Sequence, residues 1–429
     1  MVHLGPAWIA STAVRDPAPE QFGLSPTEDS LLEALPTLRE VVEALAPLER
    51  RAGSAGEEQA ARWIAERLRG AGCEAQVDEE QFLDGYAKVI GTLAAAGAVA
   101  GAAGLTKRLR KLGAAAAALV TAAIADDVSN GPRVFRRLST PPRPTWNVVA
   151  QCGDPAAERT LVVLAHHDAA PTGAIFDDTA QVWFGETFPG IIERMDTSLP
   201  LWWALLSMPA LVALGAAKHR KGLVGTGFAG SVVGMAVFAD VARRPVCPGA
   251  NDNLTAVAVL VALAERLAAS PVPGLRVLLV SCGAEEVLQG GIHGFGRRHF
   301  PGLDRDRTWF LNLDTVGSPK LIMLEGEGSV VMEDYHDRSF RDLVARAGEG
   351  AGAPVRRGMR SRNSTDAVIP SRAGYPTATI ASMDRYKALS NYHKMSDTPE
   401  NVNYRTVFQA LTLSEAVARE LAASPWFGR

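Results

Sequence analysis

The sequence has few cysteines, few aromatic residues and little net charge, and each shortage argues against a class of protein. Four cysteines occur among 429 residues and none forms a CxxC pair, which argues against a thiolate zinc site and against a disulfide scaffold. We therefore expect all four to be small buried residues, namely Cys73, Cys152, Cys247 and Cys282. The formal net charge of −3 gives no indication of a nucleic-acid partner.

Aromatic residues make up 7% of a chain that is 47% hydrophobic, so the apolar residues are largely alanine, valine and leucine. A chain of this length can bury a full core, which favours one large domain with additions or two domains. The first thirty residues contain scattered proline, aspartate and glutamate and lack the basic-then-apolar pattern of a signal peptide.

Four long stretches carry no charged side chain, and they come in two pairs. A basic cluster at 107–111 separates the first pair, and another at 218–221 separates the second. This pattern predicts two hydrophobic helical hairpins with basic tips. The uncharged stretches cover residues 89–105, 112–125, 197–217 and 222–239.

The hairpins divide the chain into a main domain and two insertions. We place the insertions at residues 86–145 and 186–242, because a regular alternation of strands and helices resumes after each one. The main domain then consists of residues 1–85, 146–185 and 243–429.

Within the main domain, short apolar runs alternate with amphipathic stretches, as a parallel sheet with crossover helices requires. The pattern predicts an α/β fold with a mostly parallel mixed sheet flanked by helices. The predicted strands cover residues 74–82, 146–151, 160–164, 275–281, 308–313, 320–324 and 377–381. The predicted helices cover residues 35–51, 57–69, 253–269, 286–300, 337–347 and 404–421.

Acidic and imidazole side chains stand at the ends of several of these strands and helices. Ligands in open α/β sheets bind just beyond the carboxyl ends of strands, so these side chains are placed to form a site. They are His166 with Asp168, Asp252, the pair Glu285 and Glu286, Asp314, and His393 in the loop after the strand ending at Ala381.

Carboxylates and imidazoles without thiolates suit zinc in a catalytic site, where positions stay open for water. Two imidazoles and three carboxylates, one of them bridging, are enough to bind two ions. Adjacent Glu285 and Glu286 point differently, so one can bind metal while the other accepts a proton from the attacking water. The alternative is an acidic surface patch with two unrelated histidines, but surface patches do not usually begin where buried strands end.

Four motifs in this order resemble those of metallopeptidase family 28, which includes aminopeptidases, glutamate carboxypeptidase II and, as relatives, the glutaminyl cyclases. The resemblance covers roughly residues 35–85, 146–170 and 245–429. The motifs are Gly-Ala-Asn-Asp-Asn at 249–253, Gly-Ala-Glu-Glu at 283–286, Leu-Asn-Leu-Asp at 311–314, and Tyr392-His393 followed by Ser-Asp-Thr-Pro-Glu-Asn at 396–401.

The resemblance implies a role for each residue of the site. His166 and Asp314 would bind one zinc ion, Glu286 and His393 the other, and Asp252 would bridge them. Asp168 would orient His166, and Glu285 would be the general base. Three further residues are expected to contact the substrate, namely Asp366, Tyr392 and His167. Ala367 stands where the family commonly has a histidine, so the specificity of the pocket is left open.

The resemblance favours a zinc-dependent exopeptidase that acts on peptides, most simply an aminopeptidase. The acidic site attracts a cationic α-amine and repels a free carboxylate. A carboxypeptidase stays open because Arg356, Arg357, Arg360 and Arg362 could bind a carboxylate. A glutaminyl cyclase is a further alternative. A non-catalytic binding module embedded in a membrane would be expected to have lost a ligand or Glu285, and all of them are present.

The hairpins lie outside the resemblance and predict contact with a lipid membrane. Their uncharged stretches approach the 20 residues needed to cross hydrocarbon, except for 112–125, which suits a buried or interfacial helix. Basic tips in the cytoplasm would place the main domain outside it. The alternatives are a cytoplasmic protein whose hairpins form a soluble lid, or a homo-oligomer in which they form the interface. Trp202 and Trp203 fit either an interfacial belt or core packing.

Overall fold

A computed structural model of the chain describes residues 28–423. Residues 1–27, on which the expected absence of a signal peptide mainly rests, lie outside the described part. Within it, nine strands form one mixed sheet. The strands are β1 Glu74–Leu83, β2 Pro142–Gly153, β3 Thr160–His166, β4 Arg276–Cys282, β5 Thr308–Leu313, β6 Lys320–Glu327, β7 Glu333–Asp334, β8 Arg356–Ser361 and β9 Thr377–Met383.

The strand order is β1-β2-β4-β3-β5-β9-β6-β7, and β8 pairs with β6. The four central strands β4, β3, β5 and β9 run parallel, whereas β1, β2, β6 and β7 pair antiparallel. The central strands therefore end at the same edge of the sheet. This edge holds the residues that the sequence singles out.

Residues 28–423 contain fourteen α-helices. They are α1 Glu28–Leu45, α2 Ala55–Gly70, α3 Tyr86–Leu105, α4 Arg110–Val128, α5 Val134–Ser139, α6 Thr179–Thr187, α7 Pro189–Arg194, α8 Leu201–Ala217, α9 Lys221–Val241, α10 Thr255–Ala269, α11 Gly290–His299, α12 Arg338–Gly350, α13 Val368–Arg372 and α14 Tyr404–Ala423.

The two faces of the sheet are buried against different helices because side chains alternate along each strand. On β3, Leu161 and Val163 belong to the larger core, with apolar residues of α1, α2, α10, α12 and α14. Val162 and Leu164 belong to the smaller core on the other face, with Ile292 and other residues near α11. The predicted α/β architecture is thus confirmed.

Two of the cysteines, which the sequence analysis expected to be small buried residues, are instead bonded to each other. Cys73 and Cys152 form a disulfide bond, with their Cα atoms 4.9 Å apart. The antiparallel register pairs Glu74 with Gln151, which places the two cysteines side by side although 79 residues separate them. Spacing along the chain does not reveal such a register. Cys247 and Cys282 are free and buried, as expected.

The two hydrophobic hairpins pack against each other as one bundle of four helices, α3, α4, α8 and α9. Helix α4 is longer than the predicted 112–125, because charged residues extend both of its ends. Small residues allow close packing. A Cβ on Gly113 would lie 2.5 Å from the Gly104 nitrogen, and one on Gly227 would lie 2.4 Å from the Met208 carbonyl oxygen.

Arg136 joins the base of the bundle to the main domain, because it pairs with Asp127 of α4 and also reaches the backbone at the end of β1. Arg136 donates to Asp127 at 2.9 Å and to the Leu83 carbonyl at 3.1 Å. The two tryptophans of the second hairpin have different environments. Trp202 packs between Tyr86 and Phe238, whereas Trp203 is 52% exposed.

Candidate metal centre

The carboxyl ends of the central strands bring the predicted site residues into one cluster. His166 is the last residue of β3, and Asp314 follows β5 directly. Glu285 and Glu286 lie in a short helical turn after β4, and His393 lies in the loop after β9. Asp252 completes the cluster from the segment that precedes α10.

Asp252 lies between the two histidines, with one carboxylate oxygen toward each. Its Oδ1 is 3.3 Å from His166 Nε2, and its Oδ2 is 3.4 Å from His393 Nε2. Glu286 Oε2 is 3.2 Å from the same nitrogen of His393. This arrangement matches what a carboxylate that bridges two ions must provide.

The donor atoms form sets that agree with the two predicted zinc sites. His166, Asp252 and Asp314 offer atoms within 4.8 Å of one another, and so do Asp252, Glu286 and His393. A third such set contains His166, Glu285 and Glu286. The geometry therefore brings all five predicted ligands together, while the assignment of each to an ion remains a prediction.

The chemistry of this donor set fits a metal ion. The buried atoms Glu286 Oε1 and His393 Nε2 have no hydrogen-bond partner of good geometry among residues 28–423. Burial alone would lower the pKa of His393, but the charges of Glu286 and Asp252 outweigh it and raise that pKa to about 10. A cluster that attracts protons this strongly also attracts a divalent cation, with oxygen and nitrogen ligands that suit zinc.

Glu285 differs from the ligands in its surroundings. Burial raises the pKa of its carboxyl well above the ordinary value, although the charge of His166 opposes the rise. Its Oε2 lies 3.9 Å from His166 Nε2, and its Oε1 accepts a hydrogen bond from Gln289 at 2.8 Å. A carboxylate held beside the donor cluster in this way is placed to accept a proton.

Asp168 connects two parts of the site. Its Oδ1 lies 3.4 Å from His166 Nδ1, which is the ring nitrogen that faces away from Asp252. Its carboxylate oxygens also accept the backbone N–H groups of Glu285 and Glu286, each at 3.0 Å. Asp168 thus holds both the histidine and the glutamate turn, which agrees with the orienting role implied by the resemblance.

Asp252 is held by residues whose role the sequence analysis did not assign. Asp397 accepts the backbone N–H of Asn251 at 2.7 Å and that of Asp252 at 3.1 Å. The hydroxyl of Thr315 donates toward Asp314 at 2.9 Å and toward Asp252 at 3.3 Å. Asp397 lies within the quoted motif at 396–401, so a signal for it was present.

Glu57 was predicted only to begin a helix, yet it supports the turn that carries Glu285 and Glu286. Its carboxylate accepts the Ala284 N–H at 2.8 Å, the Thr145 hydroxyl at 2.7 Å and the Gly53 N–H at 2.7 Å. Burial and the charge of Asp168 raise its pKa to about 8. Ala284 is left-handed, with a φ of 49°, which costs about 1–2 kcal/mol. Glu57 stabilises this conformation just before Glu285.

Arg50 was also missed, and it is fully buried beneath the site. Its guanidinium donates to the carbonyl of His167 at 2.8 Å and to that of Pro248 at 2.8 Å. Burial lowers its pKa to about 10. It therefore joins the segment after β3 to the segment before Asp252. No local pattern marks such an arginine.

The three residues expected to contact the substrate differ in their accessibility. Tyr392 is half-buried, with its ring stacked on His393 at 3.8 Å between centroids. Asp366 is 2% exposed, and burial raises its pKa to about 8. His167 has no exposed surface, and its Nδ1 lies 2.9 Å from the Ser281 hydroxyl. The His167 ring is thus buried against Ser281 of β4, and its expected contact with the substrate stays a prediction.

A cavity of about 570 Å³ opens beside Glu286 and extends toward the base of the bundle. Val287 and Ala169 line it on the side of the main domain, and Tyr86, Val89 and Val241 line it on the side of the bundle. The inserted helices therefore form one wall of a space that reaches a predicted metal ligand.

The comparisons with known proteins agree with this geometry. Residues 233–417 match the family model described as peptidase family M28. This match includes Asp252, Glu285, Glu286, Asp314 and His393. A comparison with curated proteins finds no match.

Among solved structures, a glutaminyl cyclase from Bacteroides thetaiotaomicron is similar with a TM-score of 0.53 and 12% identity, over 90% of this chain and 97% of that chain. A leucine aminopeptidase precursor from the same species is similar with a TM-score of 0.53 and 12% identity, over 90% of this chain and 96% of that chain. A Zn-dependent exopeptidase from Parabacteroides distasonis is similar with a TM-score of 0.51 and 13% identity, over 91% of this chain and 98% of that chain. At such identities the likeness supports the fold.

Proposed function

We propose that the chain is a dizinc exopeptidase, and specifically an aminopeptidase, because residues 233–417 match the model of peptidase family M28 and the predicted ligands form one cluster. The observation that carries the proposal is the position of Asp252, which directs one oxygen to His166 Nε2 and the other to His393 Nε2. A third ligand completes each set of donors: Asp314 joins Asp252 and His166, and Glu286 joins Asp252 and His393. A single-ion site would not need this symmetry.

When bound by the cluster, two zinc ions would supply Lewis-acid polarisation of the scissile carbonyl and would lower the pKa of the attacking water. Glu285 accepts the proton of that water and then passes it to the leaving amine. Asp168 keeps the turn that carries Glu285 at a fixed distance from His166. Gln289 orients the Glu285 carboxylate by donating to it.

The charges around the site favour a substrate with a free amino terminus. Arg357 donates to Glu325 at 2.8 Å, and Arg360 donates to Asp334 at 3.0 Å. These two arginines are therefore already paired with carboxylates. Arg362 lies over the Trp203 ring at 5.8 Å. The acidic cluster itself attracts a cationic amine.

We expect a peptide with a free α-amine to be cleaved at least 10-fold faster than its N-acetylated form, because acetylation removes the positive charge. Measuring kcat/KM for the matched pair checks this. A third substrate, with an N-terminal glutamine, separates hydrolysis from cyclisation by the mass of the product. Faster cleavage of the acetylated peptide, or cyclisation alone, would contradict the aminopeptidase assignment.

We further propose that the four-helix bundle inserts into a lipid membrane, with the main domain outside the cytoplasm. By length and composition, α3 and α9 could each cross a membrane. Apolar side chains point outward from the bundle, including Val99 at 71% and Val233 at 62% exposure. Close packing at glycines, as at Gly113, is common among helices in membranes.

Two features support this orientation of the domain. The basic clusters at 107–111 and 218–221 meet at the end of the bundle far from the site, where Arg110 contacts His219. Such clusters favour the cytoplasmic side. The Cys73–Cys152 disulfide suits an oxidising compartment, which agrees with a main domain on the other side.

Alkaline carbonate washing of membranes from expressing cells tests the insertion. We expect the intact chain to remain in the pellet. Val233→Lys should shift it toward the supernatant, because a lysine near a helix centre costs about 2.5–3.5 kcal/mol on insertion. Leu138→Lys is the matched control, since Leu138 is 84% exposed on α5, outside the bundle. Release of the unmodified chain without detergent would indicate a soluble lid or a dimer interface.

A further inference from the structure

The loop between the bundle helix α4 and helix α5 reaches the turn that carries Glu285, the proposed general base. Asn130 and Arg133 lie in or at the end of this loop, and they are only 9% and 7% exposed. Both have left-handed backbones, with φ angles of 56° and 53°. Two buried polar residues in such conformations are unusual in a connection between helices, and specific partners hold both of them.

A chain of hydrogen bonds leads from this loop to the proposed general base. Asn130 Nδ2 donates to Gln289 Oε1 at 2.7 Å, and Gln289 Nε2 donates to Glu285 Oε1 at 2.8 Å. Gln289 Nε2 also donates to the Ser364 carbonyl at 2.8 Å. Because Glu285 and Ser364 both need a donor, the amide oxygen of Gln289 must face Asn130, which supplies the matching N–H.

Asn130 is held in this orientation from its other side. The Arg133 guanidinium donates to Asn130 Oδ1 and to the Leu288 carbonyl. His293 Nε2 lies 3.3 Å from the same Oδ1. Arg372 donates to the backbone carbonyl of Ser129 at 2.8 Å. The amide nitrogen of Asn130 is therefore directed at Gln289, and the loop cannot turn without breaking several contacts.

We propose that Asn130 is a positioning residue for the reaction, acting through Gln289 to fix the Glu285 carboxylate. The first insertion then contributes a residue that completes the active site, in addition to its proposed role as a membrane anchor. This inference rests on the proposed function of Glu285. It adds a residue from the first insertion, far outside the family match at 233–417.

The test compares Asn130→Asp with Asn130→Ala and with the neighbouring control Ser129→Ala. The aspartate keeps the shape of the side chain and an acceptor for Arg133, but it cannot donate to Gln289. We expect both Asn130 variants to lower kcat by about 10–100-fold, because Gln289 is then no longer oriented and its hydrogen bond to the charged Glu285 is lost. KM should stay within about 2-fold, and zinc per chain should be unchanged. Ser129→Ala should match the wild type.

A double-mutant cycle separates positioning from a general loss of structure. If Asn130 acts through Gln289, Asn130→Ala combined with Gln289→Leu should be no slower than Gln289→Leu alone. Additive losses, or a kcat within 2-fold of the wild type in both Asn130 variants, would overturn the proposal.

Amide hydrogen exchange gives a readout that does not depend on turnover. In the zinc-free and the zinc-loaded protein, Asn130→Ala should speed exchange in residues 283–292 and leave α10 unchanged. Unchanged exchange at 283–292 would overturn the proposal. If the wild type cyclises N-terminal glutamine and hydrolyses nothing, the proposed function fails, while the same kcat comparison on cyclisation still tests Asn130.

Discussion

Replacing Glu285 with glutamine is expected to lower turnover by about 10²–10⁴-fold while the zinc content stays the same. The amide has nearly the same shape as the carboxylate but cannot accept a proton. Gln289 would lose its charged acceptor, yet the carboxylates and imidazoles of the metal cluster would remain. Turnover of an aminoacyl anilide, with zinc per chain measured on the same sample, checks the prediction.

Glu286→Gln is the matched comparison, because it changes the adjacent glutamate in the same way. Glu286 Oε2 lies 3.2 Å from His393 Nε2, so this variant should lose metal as well as activity. Full activity in a well-folded Glu285→Gln protein would refute the assignment of the general base. Equal metal loss in both variants would show that Glu285 is itself a ligand.

The second large effect is expected for Asp252→Asn, which should bind fewer than two zinc ions per chain and lose activity with them. A carboxylate offers an anionic oxygen to each ion, whereas an amide offers one neutral oxygen and an N–H group that cannot bind a cation. The backbone contacts of Asp397 to residues 251 and 252 do not involve the changed side chain. Folding should therefore be largely retained.

Asp306→Asn, an exposed aspartate outside the cluster, is the control for a change of charge alone. It should bind zinc as the wild type does. Two tightly bound zinc ions in Asp252→Asn would mean that Asp252 is not the bridge, and the ligand sets would have to be reassigned.

The sequence allowed the cluster to be predicted because most of its residues stand at or soon after the end of a recognisable apolar run. Leu161 to Leu164 form a buried strand, and His166 comes at its end. Parallel strands that end at one edge bring such residues together whatever their distance along the chain. The order of the central strands did not have to be known for this inference.

Residues that act across the fold could not be predicted in this way. Arg50 and Glu57 contact segments about 90 to 230 positions away. Their roles depend on a tertiary arrangement that no local pattern records. The disulfide between Cys73 and Cys152 depends in the same way on the register of β1 and β2. The contact of Asn130 with Gln289 joins an insertion to the main domain.

The hairpins were recognisable from their uncharged stretches, but their joint packing was not. Sequence periodicity says little about helices that are apolar all round. Glycines such as Gly113 and Gly227 mark the closest approaches in the bundle only once the partner helix is known. The predicted boundaries at 86–145 and 186–242 enclose the four bundle helices and remain predictions as domain limits.

The most direct test of a dizinc peptidase is to measure zinc per chain and turnover of an aminoacyl anilide together, in the wild type, Glu285→Gln and Asp252→Asn. We predict two zinc ions and full turnover for the wild type, two ions and almost no turnover for Glu285→Gln, and fewer than two ions with little turnover for Asp252→Asn. A wild-type protein that hydrolyses the anilide equally well after its zinc has been removed would contradict the account.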